Sequence, residues 1–179
     1  KKAAICSRRA GKSYAAGLAL IERALEYPYT KHLYLALTRE SAKRILWMDV
    51  LKTIVRKLKL SVRFNETELA MWFPNGSVIY LLGADAKSEE QEKLLGQKYK
   101  TVVIDEAASF KIDLRRLVYK ILEPATVDER GTIFMIGTPG DFVGPPGKDR
   151  HMFFSTTSGV RRGKPSEENE ECGPPHNIK

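Results

Sequence analysis

Cysteine is scarce in this sequence: Cys6 and Cys172, near opposite ends, are the only two. So few thiols so far apart exclude a disulfide framework, and a reducing compartment is expected. Long hydrophobic runs are missing as well. No apolar stretch approaches the roughly 18 residues of a membrane span, and no signal peptide is visible. No segment repeats. From Gly159 the apolar pattern disappears, and residues 160–179, with Glu167, Glu171 and Gly173-Pro174-Pro175, read as a disordered tail or linker. The remainder, 1–159, is an ordinary globular composition. With 179 residues in all and 42% hydrophobic content, the chain suffices for one sizeable core. The first residues already belong to a strand, which reads as a shortened N-terminus. Lys plus Arg number 30 against 22 Asp plus Glu, a formal net charge of +8. That balance favours polyanionic partners, and it also aids solubility.

The most informative stretch is Cys6-Ser7-Arg8-Arg9-Ala10-Gly11-Lys12-Ser13. It follows the apolar run Ala3-Ala4-Ile5 and opens a helical pattern near Lys12. Strand, tight loop and helix are the setting of a phosphate-binding loop. A helix N-terminus offers unpaired N–H groups and the positive end of a dipole. Gly11 lets the backbone curl around an anion. Lys12 suits the β- and γ-phosphates, and the Ser13 hydroxyl suits Mg²⁺. The usual first glycine is replaced by Cys6, so the loop is a variant.

Further along, Tyr14, Leu18, Ile21 and Leu25 recur at helical spacing up to Tyr27-Pro28. His32 to Leu37 reads as a buried strand. A second helix follows Thr38-Arg39-Glu40-Ser41, with Trp47 or Met48, Leu51, Ile54, Val55 and Leu58 as its apolar stripe. Its other face carries Asp49, Lys52, Arg56 and Lys59. Ser61 to Phe64, Glu68 to Phe73 and Ser77 to Leu82 are strand-like, with Pro74-Asn75-Gly76 as a turn, and suggest an antiparallel hairpin on the main sheet. Residues 85–98 are highly charged. Thr101 to Ile104 is a buried strand, followed by a helix from about Asp113 to Glu123 and a strand from Thr132 to Ile136. A last short strand is expected from His151 to Ser155. Strands alternating with helices imply an α/β fold, a mainly parallel sheet covered on both faces. Right-handed crossovers then gather the strand C-terminal ends at one edge. The phosphate loop, Asp105-Glu106 and Thr138 all lie at such ends.

Asp105 and Glu106 close an apolar strand, Thr101-Val102-Val103-Ile104. Beside a phosphate loop, Asp105 would hold Mg²⁺ with Ser13, and Glu106 would orient or deprotonate an attacking water. Two acids there also suit the positive start of the next helix. The upstream Gly-Lys-Ser in the right fold order favours the first reading. Thr138, before Pro139, would sense a γ-phosphate through its hydroxyl, or simply end the strand in a turn. Lys52, Arg56 and Lys59 read as a solvated helix face or as a track for DNA phosphates. Trp47 and Trp72 read as packing residues.

In these stretches the chain resembles the ATPase domain of large terminase subunits, the motors that package DNA in tailed bacteriophages and herpesviruses. The variant phosphate loop, Leu37-Thr38-Arg39-Glu40-Ser41-Ala42-Lys43-Arg44-Ile45, Val103-Ile104-Asp105-Glu106-Ala107 and Ile136-Gly137-Thr138-Pro139 carry the likeness, in order, over about Ala3 to Gly159. The resemblance implies a P-loop NTPase of the RecA-like (ASCE) kind that binds ATP and Mg²⁺. Nucleotide would contact Ser7, Arg8, Arg9, Ala10, Gly11, Lys12, Ser13 and Tyr14. Ser13 and Asp105 would serve the metal, Glu106 and Arg8 the chemistry, and Thr138 the coupling of hydrolysis to movement. Implied partners are double-stranded DNA, a portal ring, a small terminase subunit and further copies of the chain, in the cytoplasm of an infected host cell, with no membrane. Three departures stand out. The adenine-binding segment lies upstream of the loop in that family, and nothing after Gly159 would build its nuclease domain. Leu95 occupies a place where an Arg is frequent. A helicase-type ATPase half, or a nucleic-acid-binding module without hydrolysis, would share several of these stretches. A helicase needs a second similar domain, and the intact Glu106 argues against a module without hydrolysis.

Overall fold

A computed structural model describes residues 2–5, 7, 9–84, 96–110 and 114–138. The strand expected at His151 to Ser155 and the tail over 160–179 lie outside them. Seven strands form one sheet: β1 Lys2–Ile5, β2 Lys31–Ala36, β3 Arg63–Asn65, β4 Ala70–Trp72, β5 Val78–Gly83, β6 Thr101–Ile104 and β7 Thr132–Gly137. Helix α1 is Lys12–Glu26. Helix α2 runs without a break through Arg39–Ser41, the wider-wound Ala42–Leu51 and Lys52–Lys57. Helix α3 combines Leu114–Arg116, the wider-wound Leu117–Leu122 and Glu123–Val127. It runs beyond the expected end at Glu123, through Pro124. A proline lacks the N–H for the helical ladder and crowds the carbonyl four residues before it. The widened turns just upstream relieve that conflict.

The spatial order is β1-β7-β6-β2-β5-β4-β3. The first five are mutually parallel, and β4 and β3 are antiparallel additions. The expected hairpin is therefore a meander whose last strand, β5, is itself a main-sheet strand beside β2. Alternation along the central strands sends side chains to two cores. Tyr34, Ile79, Leu81 and Val103 pack under α1 and α2, while Leu33, Leu35, Val102, Ile104, Ile133 and Met135 pack against α3. Both faces of the sheet are covered, as near-continuous apolar strands require.

The expected apolar stripe of α1 is corrected by rotation about the helix axis. Tyr14 and Leu25 are 42% and 47% exposed, and the buried residues are Ala16, Gly17, Leu20, Ile21 and Ala24. Small side chains decide this, because they let α1 approach α2 closely. A Cβ on Gly17 would stand 2.6 Å from Val50 Cγ1. In α2, Trp47 is buried and Met48 is 48% exposed, while Leu58 lies outside the core at 54%. Among the described residues, no helix is long and apolar enough to cross a membrane.

At the sheet edge remote from the strand C-termini, His32 is fully buried at the start of β2. Thr30 Oγ1 donates to the Tyr27 carbonyl at 2.7 Å, so His32 Nε2 donates to Thr30 Oγ1 at 3.0 Å. Nδ1 then carries the lone pair and has no partner among the described residues. Burial, with Arg23 and Lys100 nearby, lowers the imidazole from 6.5 to about 4. The unfolded chain takes up a proton near pH 6.5 and the folded chain only near 4. Stability is therefore expected to fall as pH drops between those values, by about 3 kcal/mol in total from this group. Urea unfolding from pH 7.5 to 4 should show a flatter acid limb for His32→Asn than for the parent.

Candidate functional site

The loop between β1 and α1 turns sharply, with Arg9 at φ 61° and Gly11 at φ 76°. A Cβ on Gly11 would meet nothing within 4 Å, so glycine is needed here for its backbone angle and not for space. The first helical bond, Ala15 N–H to the Gly11 carbonyl at 2.9 Å, starts α1 directly after it. The N–H groups of the first turn are left without helical partners and open onto the cavity described next.

That cavity, of about 340 Å³, is lined by Arg9, Ala10, Gly11, Lys12, Ser13, Tyr14, Glu106 and Thr138. Lys12 Nζ donates to Thr138 Oγ1 at 2.9 Å and to the Ser7 carbonyl at 3.2 Å. Ser13 Oγ donates to Asp105 Oδ2 at 3.0 Å. The Glu106 N–H donates to Asp105 Oδ1 at 2.8 Å. Asp105 is 4% exposed, and its own N–H bonds to the Leu35 carbonyl at 2.9 Å, extending the β2–β6 ladder by one residue. Glu106 follows at φ 51°, a left-handed backbone uncommon outside glycine. That turn takes its side chain out of the strand and into the cavity wall, while Asp105 stays beneath.

The structure thus brings together Lys12, Ser13, Asp105, Glu106 and Thr138. Strand order explains how. β7 lies between β1 and β6, so Thr138 emerges between the phosphate loop and the acidic pair. Arg9 and Tyr14 line the same cavity. Arg8 and Leu95 lie outside the described residues. Lys52, Arg56 and Lys59 do not reach the cavity, and Lys52 is occupied. Its Nζ is 2.5 Å from Glu66 Oε1 and sits 5.9 and 5.7 Å from the Trp47 and Phe64 ring centres. Arg56 and Lys59 remain exposed. Sequence reasoning missed Tyr34, whose hydroxyl donates to Asp105 Oδ2 from within the core. Its signal was a lone phenol inside the run His32 to Leu37, since a buried tyrosine hydroxyl needs an acceptor.

The donor set suits a phosphate ester with a hard divalent cation. One ammonium and a turn of free N–H groups face the opening, beside paired hydroxyl and carboxylate oxygens. Among the described residues there is no cluster of three or more His, Cys, Asp or Glu side chains fit to hold a metal unaided. Residues 4–120 match the family described as the terminase large subunit, T4likevirus-type, N-terminal. The chain belongs to that family. No curated protein sequence matches closely enough to count as a relative. Among solved structures it is similar to the large terminase ATPase domain of Thermus phage P74-26, with a TM-score of 0.68 and 20% identity over 93% of this chain and 66% of that one. A large terminase from a thermophilic bacteriophage gives 0.67 and 17% over 88% of this chain and 36% of that one. For the HK97 bacteriophage large terminase the values are 0.62 and 17%, over 76% and 28%. The chain therefore spans about two thirds of the P74-26 domain and roughly a third of the other two. At such identities the likeness carries the fold, that of a P-loop NTPase. The terminase of the thermophilic bacteriophage has also been solved with ADP and with ATP-gamma-S.

Proposed function

We propose that this chain is the ATP-hydrolysing motor domain of a viral DNA-packaging terminase. The observation that supports it most is the meeting of Lys12, Ser13, Glu106 and Thr138 around one cavity, with Asp105 bonded to Ser13 beneath it, from three separate chain regions. Gly11, Lys12, Ser13 and the neighbouring loop residues Ser7, Arg8, Arg9, Ala10 and Tyr14 bind the nucleotide, with Lys12 on its phosphates. Ser13 and Asp105, whose oxygens suit a hard divalent cation, would hold Mg²⁺, which would supply charge neutralisation for the phosphates. Glu106 holds the attacking water and accepts its proton, in line with the γ-phosphoryl group. Lys12 gives up Thr138 Oγ1 when it turns to phosphate, so nucleotide occupancy is felt at the end of β7. Thr138 couples that event to movement.

Double-stranded DNA is the substrate moved, and a portal ring, a small terminase subunit and other copies of the chain are the partners, in the host cytoplasm. The positive net charge of +8 is consistent with a nucleic-acid partner. Arg56 on α2 and Lys59 just after its end are the exposed candidates for DNA contact. The test is phosphate release from ATP with Mg²⁺ and with EDTA. Turnover only with Mg²⁺ is expected, and none in either condition overturns the proposal. Arg8 is assigned to the γ-phosphate as the cation that meets charge growing in the transition state. Arg8→Ala is expected to lower turnover per subunit by about 10²-fold. A near-normal Arg8→Ala, in a parent whose turnover climbs steeply with protein concentration, would place the cation on a neighbouring subunit.

A further inference from the structure

Asp105 accepts three hydrogen bonds among the described residues, and one donor comes from a strand that no motif marks. Tyr34 sits in β2 directly across from Val103 of β6, and Asp105 lies two residues further along β6 on the same face. α1 covers that face, so the phenol, the Ser13 hydroxyl and the carboxylate share one layer. Tyr34 is 1% exposed and belongs to the core under α1 and α2.

The geometry points to Tyr34 as a positioning residue for Asp105, holding Oδ2 in place when Ser13 turns away from that oxygen to serve Mg²⁺ and nucleotide. This rests on the assignment of Ser13 and Asp105 to the metal. Of the three bonds, the one from Ser13 is given up on binding. The one from the Glu106 N–H comes from the adjoining peptide and fixes only Oδ1. A carboxylate tied at Oδ1 alone can still rock about its Cβ–Cγ bond. The Tyr34 bond prevents this because its donor is a rigid ring with two torsions, anchored in a different strand. A bond from a phenol to an ionised acceptor is also about twice as strong as one to a neutral carbonyl.

The experiment is Mg²⁺ titration of fluorescent mant-ADP binding to the parent and to Tyr34→Phe, with a metal-free series in EDTA. The variant is expected to bind metal-free nucleotide within about twofold of the parent, and to need about tenfold more Mg²⁺ for half-maximal enhancement, the usual scale of one bond to a charged group. An unchanged Mg²⁺ midpoint overturns the proposal. Equal loss of metal-free binding, or failure of the variant to fold, also overturns it and makes the hydroxyl a packing element. A parent that binds nucleotide with no Mg²⁺ enhancement instead refutes the metal assignment itself, and the proposal falls with it. A second reading needs no variant. The Tyr34 hydroxyl proton should give a slowly exchanging NMR signal that survives addition of Mg²⁺ and ADP, and its disappearance on loading overturns the proposal.

Discussion

Replacing Lys12 with alanine is expected to weaken nucleotide binding by about 10²-fold or more, while the fold is kept. The side chain is half-buried and, among the described residues, donates to a hydroxyl and one carbonyl, Thr138 Oγ1 and the Ser7 oxygen. Neither partner is stranded by its loss, since Thr138 lines the open cavity and Ser7 is exposed to solvent. Two hydrogen bonds to charged phosphate, each contributing about 1.5–3 kcal/mol, account for the lost affinity. Titration calorimetry with ATP, alongside circular dichroism for the fold, measures both. Parent-like affinity in Lys12→Ala would remove the phosphate-loop assignment. The same variant should leave Thr138 without its link to α1, so any effect of nucleotide on β7 dynamics should vanish too.

Glu106→Gln is expected to separate binding from chemistry. The amide keeps the size of the side chain and removes the charge that orients water and takes its proton. Turnover should drop by about 10²- to 10⁴-fold, the range of a general base. Affinity should stay within about twofold, because the contact from residue 106 to Asp105 runs through its backbone N–H and survives the change. The left-handed backbone at φ 51° is common to both side chains, so no new strain enters. Single-turnover hydrolysis and equilibrium binding on the same preparations supply the comparison. Unchanged turnover would take Glu106 out of the mechanism, and a parallel loss of binding would make it a structural cap.

Several parts of this molecule were legible without coordinates because they depend on near neighbours in the chain. Gly11 at the loop's positive φ, the helix starting at Lys12, and the apolar run Thr101–Ile104 ending in two acids are all of this kind. Backbone sterics and two- or four-residue periodicity write such features into consecutive residues. Apolar spacing on α1 was a weaker guide. It marked Tyr14 and Leu25, whereas the packing selected the face with Gly17 and Ala24, since closeness of approach is set by the smallest residues and not the most hydrophobic.

Sequence alone determined that this chain carries a phosphate loop, an acidic strand end and a threonine at a later strand end, and that its sheet is mainly parallel. Tertiary structure decided how they meet. Only the pairing of strands puts β7 between β1 and β6, which lets Lys12 reach Thr138 across 126 residues. Only the register of β2 on β6 sets Tyr34 beneath Asp105, 71 residues away. The same is true of Lys52, whose charge belongs to Glu66 and two aromatic rings and not to an open basic face. Contacts of this kind join residues with no local relation, and their free energy comes from burial and hydrogen bonding that exist only once the sheet has closed.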